Sequence, residues 1–310
     1  SELRRISITP LHIESRMNST SYSERGNGID VRDSSGVSIQ HNHEAYMHDG
    51  YYLERTPNTT LRNNHAEFSR YGYHIMFTSD VQMIDNVGSS NVTGAMVMNA
   101  SRIRLSSNRF EKQNENVHSQ GILAFDVHES TFENNNVEGN RVGLYIEESS
   151  DNKWLSNWVA NNYIGLQMKD AKQNDLRSNH FVMNVQQAQA TDSEHNPMNG
   201  NFWDDFRGID LNGDGFSELQ YAIQPFFLSM VNKKPAFQLF FHSPGMQFLE
   251  SMFQGDRSKW LKDETPLMKP ILDNLDSSDK PLRQTVVIWS SALILMICAV
   301  IIYYMGVRKR

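Results

Sequence analysis

From Ile29 to about residue 200 the chain alternates apolar and polar positions in short runs, and the runs themselves recur. Gly28, Gly50, Gly72 and Gly94 stand 22 residues apart; after one step of 27, Gly121, Gly143 and Gly165 resume the interval. One residue after Gly come Ile29, Tyr51, Tyr73, Ala95, Ile122, Leu144 and Leu166; three after it come Val31, Leu53, Ile75, Val97, Ala124, Ile146 and Met168. Eleven after it come Ile39, Leu61, Met83, Leu105, Phe132, Trp154 and Leu176. Alternation at period two marks half-buried strands, so these three columns are expected to point inward and stack. Fourteen residues after each Gly stands an Asn (Asn42, Asn64, Asn86, Asn108, Asn135, Asn157, Asn179), and Asn201 keeps the register where Gln187 replaces the glycine.

Short strands, polar corners and a 22-residue period predict an all-β fold, a right-handed single-stranded parallel β-helix with one coil per repeat. Leucine-rich repeats share the length but their leucine consensus is absent. The glycines are expected to turn the chain with positive φ, and the asparagines to sit in left-handed corners while stacking as a hydrogen-bonded ladder. The longer step places a five-residue insertion within Glu111–Gln120, a candidate recognition loop. Ser1 falls inside a repeat already under way, with neither leader nor initiator Met, so a leader and earlier coils are expected to precede it.

After Asn201 the repeat stops. Three regions are expected: the β-helix over 1–205, an acidic loop with a Phe/Leu-rich, helical C-terminal extension and tether over 206–282, and a membrane anchor with a short tail over 283–310. Ser243 can cap a helix opening at Pro244, with Phe248, Leu249, Met252 and Phe253 on one face. That face suits a cap on the solenoid or a membrane partner. Residues 286–307 carry no charge and as a helix span roughly 33 Å, against a hydrocarbon core of about 30 Å. Arg308, Lys309 and Arg310 follow, which places the tail in the cytoplasm and the rest outside it. Cys298 is the sole cysteine, excluding an intrachain disulfide and cysteine-rich metal motifs. With 29 Lys and Arg against 36 Asp and Glu, no nucleic-acid footprint is present.

Positions two and four after Gly should face outward. In consecutive coils they are His74 with Met76, then Met96 with Met98, one patch of imidazole and thioether. Soft ligands of this kind select Cu(I); a Met-rich docking surface for a partner would look the same. One residue past the Asn, His43 and His65 recur in adjacent coils, with His180 farther on and His41 or His48 nearby, a secondary metal candidate or simply polar corners. Asp210, Asn212 and Asp214, with the Phe216 position and Glu218, space oxygen ligands as a Ca²⁺ loop does, or form Asx turns without metal. A polysaccharide lyase or epimerase would need a clustered acid–base set with a basic partner. The outward Asp30, Arg32, Tyr52, Glu54, Tyr145, Glu147, Gln167 and Lys169, with Asp126 and Glu148, are dispersed instead. A passive anchored scaffold or adhesin is the remaining alternative.

The stretch GNFWDDFRGIDLNGDGFSE from Gly200 resembles a recurring segment of NosD proteins, an N-Y-W-x-D-Y-x-G run followed by an Asp-Gly-rich loop. Asn201, Phe202, Trp203, Asp205, Phe206 and Gly208 match it, with Phe for Tyr. The preceding Gly/Asn coils and the later KDETPLMKP extend the resemblance over most of 28–270. It implies a non-enzymatic, exported β-helical component of an ABC-transporter assembly supporting copper-centre maturation of nitrous-oxide reductase. The partners so implied are a permease, an ATPase, a copper-chaperone lipoprotein and the apo-reductase. Copper would be bound transiently, while structural Ca²⁺ rests on the spacing of the 210–218 loop alone. The permease would dock near Phe226, Phe227, Phe240, Phe241, Phe248 and Phe253.

Overall fold

Alternation at period two does produce stacked strands. The computed structural model describes residues 21–223 apart from 115 and 117, residues 260–271, Gly245, and the backbone of strands Ser7–Ile8 and His12–Glu14. Each coil contributes one strand to each of three parallel sheets. Sheet 1 has eight strands: Ile29–Arg32, Asp49–Glu54, Tyr71–Met76, Thr93–Ser101, Gln120–His128, Val142–Glu147, Ile164–Lys169 and Gln186–Thr191. Sheet 2 begins with Ser7–Ile8 and Ser38–Gln40, and sheet 3 with His12–Glu14 and His43–Ala45. The architecture is a parallel β-solenoid of the right-handed type, with about eight coils of roughly 22 residues.

Strand partners are the residues the repeat aligns: Tyr51 with Tyr73, Tyr73 with Ala95, Ala95 with Ile122. All three inward columns are buried and form one core. Stacking is specific as well as apolar. Phe132 lies on Trp154 at 3.9 Å, and Tyr51 on Tyr73 at 4.8 Å. The 27-residue step appears as an offset between Ser89↔Glu111 and Thr93↔Gln120, which confines the insertion to the turn between those strands.

The asparagine column forms the expected ladder. Each Nδ2 donates to the next Oδ1 at 2.9–3.0 Å from Asn42 to Asn201. The left-handed residue, however, is the one before each Asn: His41, Asn63, Asp85, Ser107, Asn134, Ser156 and Ser178, with φ between 51° and 57°. The Asn itself must keep ordinary φ so that its amide enters the coil. Nor do the repeat glycines take positive φ. A Cβ on Gly72 would come 2.7 Å from the Gly94 carbonyl and 2.9 Å from Asn91 Nδ2. Glycine is required there for close stacking, not for turning. Two further polar ladders line the other corners, Asn140–Asn162–Asn184 and Asn152–Asn174–Asn196.

The solenoid does not end at 205. Strands Tyr221–Ala222 and Lys262–Asp263 extend sheet 2, with Met198 paired to Asp263. Asp263 Oδ2 closes the Asn ladder, accepting from Asn201 Nδ2 at 2.8 Å and from Trp203 Nε1 at 3.1 Å. Tyr221 stacks on Trp203 at 4.3 Å, and Ile223 and Leu261 are buried beside it. Residues flanking 224–259 therefore cap the last coil. The expected helix from Ser243, the Phe-rich docking residues Phe226 to Phe253 and the 286–307 span lie outside the described residues. Among the described residues no helix is long and apolar enough to cross a membrane.

Candidate metal-handling face

Sheet 1 brings the four expected soft-ligand residues together. In its register Tyr52, His74 and Met96 are successive neighbours, as are Glu54, Met76 and Met98. Met76, Met96 and Met98 are half-buried, whereas His74 is only 6% exposed, which departs from an open outward position. Tyr52 and Tyr71 set their ring edges against the imidazole at 5.1 and 5.0 Å and wall it in.

Asp49, immediately before Gly50 and itself buried, fixes the ring. Its Oδ2 lies 2.8 Å from His74 Nδ1, and Arg70 donates to both of its oxygens at 2.9 Å. A neutral ring whose Nδ1–H donates to that carboxylate carries its lone pair on Nε2, the arrangement that orients a metal-binding histidine. Nε2 has no hydrogen-bond partner among the described residues. Leaving a buried polar atom unpaired costs about 1–3 kcal/mol. An imidazole nitrogen without a partner, on the strand paired with the one that carries Met96 and Met98, is a donor type that combines with thioether sulfur to suit Cu(I). Met76 Sδ lies 3.2 Å from Tyr52 Oη, whose single proton goes to the stronger acceptor, Glu54 Oε2 at 3.0 Å. Burial, and then the hydrogen bond to Glu54, push that phenol above its usual range, so it remains a donor.

On sheet 3, His43 and His65 stack at 4.8 Å, and Glu67 joins them with Oε1 2.9 Å from His43 Nε2. His41 stays at its left-handed corner, and His48 Nδ1 takes the Tyr22 carbonyl at 2.8 Å, so neither enters the cluster. His180 stacks on Trp158 at 5.4 Å far along the column, its pKa lowered by burial. In the 210–218 loop the carboxylates face the chain's own amides. Asp210 accepts from Gly213 and Gly215 at 2.6 and 3.0 Å, Asp214 from Phe216 at 2.8 Å, and Glu218 from Leu211 at 3.0 Å. Asn212 Oδ1 accepts from Asp214 N at 2.9 Å. Asn212 and Asp214 thus close Asx turns and Asp210 and Glu218 hold the rest of the loop, each oxygen keeping a lone pair beyond the one these bonds use. The dispersed charges pair locally, Arg32 with Asp30 at 2.8 Å and Lys169 with Glu147 at 2.6 Å.

Asp49, Arg70 and Glu67 are the site residues that sequence reasoning missed. A signal for Asp49 exists: the position before Gly reads Asn27, Asp49, Tyr71, Thr93, Gln120, Val142 and Ile164, with one charge among neutral residues. Glu67 lies 24 residues after His43, two beyond the period, and a same-column search passes over it.

Comparison with known proteins adds a family. Among solved structures, the chain is similar to the A-module of mannuronan C-5 epimerase AlgE6 from Azotobacter vinelandii. Identity is 14% and TM-score 0.39, over 55% of this chain and 59% of that one. It is also similar to the periplasmic alginate epimerase AlgG, at 16% identity and TM-score 0.39, over 55% of this chain and 38% of that one. The chain thus spans less than two thirds of either, and likeness at this level assigns neither substrate nor reaction. No curated protein matches the sequence. The sequence profile of the family described as periplasmic copper-binding protein (NosD) matches residues 11–208, well over half of the 310 residues. The chain belongs to the NosD family.

Proposed function

We propose that this chain is an extracytoplasmic accessory protein that receives Cu(I) as cargo at His74 with Met96 and Met98, and passes it on in copper-centre assembly. The orphaned Nε2 of His74, whose ring Asp49 holds on the strand paired with that of Met96 and Met98, supports this reading most. The family's description as periplasmic and copper-binding agrees with it. Imidazole and thioether hold Cu(I) without demanding a rigid geometry, so transfer to a partner's soft ligands is feasible. The adjoining half-buried Met face is where a copper-chaperone lipoprotein or apo-nitrous-oxide reductase would dock. A permease and ATPase would act on the C-terminal region. No acid–base chemistry is assigned to the chain.

Anaerobic titration of the full chain with Cu(I), against a colorimetric Cu(I) chelator, tests the reading. The expected result is tight binding by the native protein, weakened at least about 100-fold by His74→Ala and by the Met96→Ala, Met98→Ala double variant. Equal affinity in all three proteins, or no binding in any, sinks it.

A further inference from the structure

A second metal-ligand set lies on a different sheet and has different chemistry. His43 and His65 occupy adjoining positions of sheet 3, and Glu67 follows His65 by two residues, so all three leave the same face of neighbouring strands. One ligand atom from each lies within 4.8 Å of the others, the one such group of His, Cys, Asp and Glu among the described residues. A tetrahedral Zn²⁺ with bonds of about 2.0–2.1 Å places its ligand atoms about 3.3 Å apart. His43 Nε2 and Glu67 Oε1 already stand at 2.9 Å. Small rotations of half-buried side chains would supply the remaining contraction.

We propose that His43, His65 and Glu67 form a second metal site, for a borderline divalent cation such as Zn²⁺. Two imidazoles and one carboxylate make up a harder donor set than His74 with its methionines, and such a set favours Zn²⁺ or Cu²⁺ over Cu(I). Parallel imidazoles 4.8 Å apart repel each other when both are charged. A cation takes both rings as neutral imidazoles, which removes that repulsion. The cation takes the place of the hydrogen bond between His43 Nε2 and Glu67 Oε1: the single ring proton moves to Nδ1 by tautomer exchange through water, which frees the Nε2 lone pair for the metal. The Glu67 carboxylate offsets one of the two positive charges, and a fourth coordination position remains for water. Ser89 Oγ, 3.3 Å from His65 Nε2, lies close enough to hydrogen-bond such a water. Because the ligands come from two consecutive coils, the cation would also tie those coils together.

The test is Zn²⁺ titration of the full chain against a chromophoric chelator, with thermal melts recorded with and without Zn²⁺. The native protein is expected to bind one equivalent and to melt higher with it. His65→Ala should weaken binding at least about 100-fold, and Glu67→Gln, which keeps the side chain's shape, about 10- to 100-fold. His74→Ala should bind Zn²⁺ as the native chain does, which separates this site from the Cu(I) site. Circular dichroism of Glu67→Gln guards against misfolding as the cause of any loss. Native-like affinity in Glu67→Gln and His65→Ala, or a native protein that neither binds Zn²⁺ nor melts higher with it, overturns the proposal.

Discussion

The coils before Gly94 and those after Gly121 share one backbone, yet they treat buried polar groups differently. Amide ladders and matched outward charges run through both, from Asn42 to Asn201 and from Asp33 with Arg55 to Glu147 with Lys169; what the later coils lack, among the described residues, is a buried ionisable side chain without a partner. In the earlier coils two ionisable side chains are buried with atoms that have no partner among the described residues, Glu44 inside the solenoid and His74 on its face. The His43–His65–Glu67 group lies in the same stretch. A repeat fold therefore separates its tasks by coil: the period carries stability, and departures from the period carry chemistry.

Glu44 gives the largest expected way to break this contrast. It occupies an inward column otherwise held by Ala66, Gly88, Phe110, Val137, Val159 and Phe181, and burial raises its pKa to about 8. A carboxyl whose folded value lies above its unfolded value, about 4.3, contributes fully at pH below that unfolded value. The contribution is lost as pH rises towards the folded value, roughly 5 kcal/mol in all. Native protein should therefore lose stability steadily between pH 5 and about pH 8, and Glu44→Gln should flatten that slope and melt higher at pH 8. Parallel melting curves across this range would show that the early coils carry no such penalty.

The second expected effect lies in the later coils. Asn157 donates to Asn179 and to the Phe132 carbonyl at 2.9 Å each. Asn157→Ala takes from the buried Asn135 N–H and Nδ2 their acceptor and from the Phe132 carbonyl its amide donor, while the backbone N–H of residue 157 still reaches Asn179 Oδ1, at a cost of about 1–3 kcal/mol. Chemical denaturation should show it, with metal binding by the folded protein unchanged. A cost below about 0.5 kcal/mol would mean that the ladder is not what holds these coils in register.

Such a ladder was legible in the sequence because the period ties each Asn to the next. The three inward columns were legible for the same reason, as was the meeting of His74, Met76, Met96 and Met98. What glycine and asparagine do at the corners was not. Close approach between coils depends on the neighbouring strand's carbonyl, and a left-handed φ belongs to the residue before the Asn, whose identity varies from His41 to Ser178. Asp49 escaped because it meets His74 25 residues on rather than 22, and the cap because Asp263 reaches Asn201 across 62 residues with no repeat between them.

A subtler break concerns Asp49 as a positioning residue. Asp49→Asn preserves shape but replaces the carboxylate that orients His74. Cu(I) affinity should fall about 10-fold, the lower end for loss of such a partner. Glu147→Gln on the later coils should leave that affinity unaltered. Imidazole NMR distinguishes orientation from mere destabilisation, since the native His74 Nδ1 proton, held by the carboxylate, should shift in Asp49→Asn while the fold persists. An unchanged resonance with unchanged affinity would remove Asp49 from the site.

The smallest effect sharpens the contrast from the other side. Lys169 and Glu147 occupy the outward column that Met76 and Met98 occupy three and two coils earlier than Glu147. The lysine side chain is 47% exposed, so water screens the pair and its contribution should be small. Lys169→Ala is accordingly expected to shift the denaturation midpoint slightly and to leave Cu(I) and Zn²⁺ affinities as they are. If either affinity instead fell as far as in Asp49→Asn, metal binding would not be local to the early coils. The outward column would then act as one extended electrostatic surface, and the division of tasks by coil would have to be abandoned.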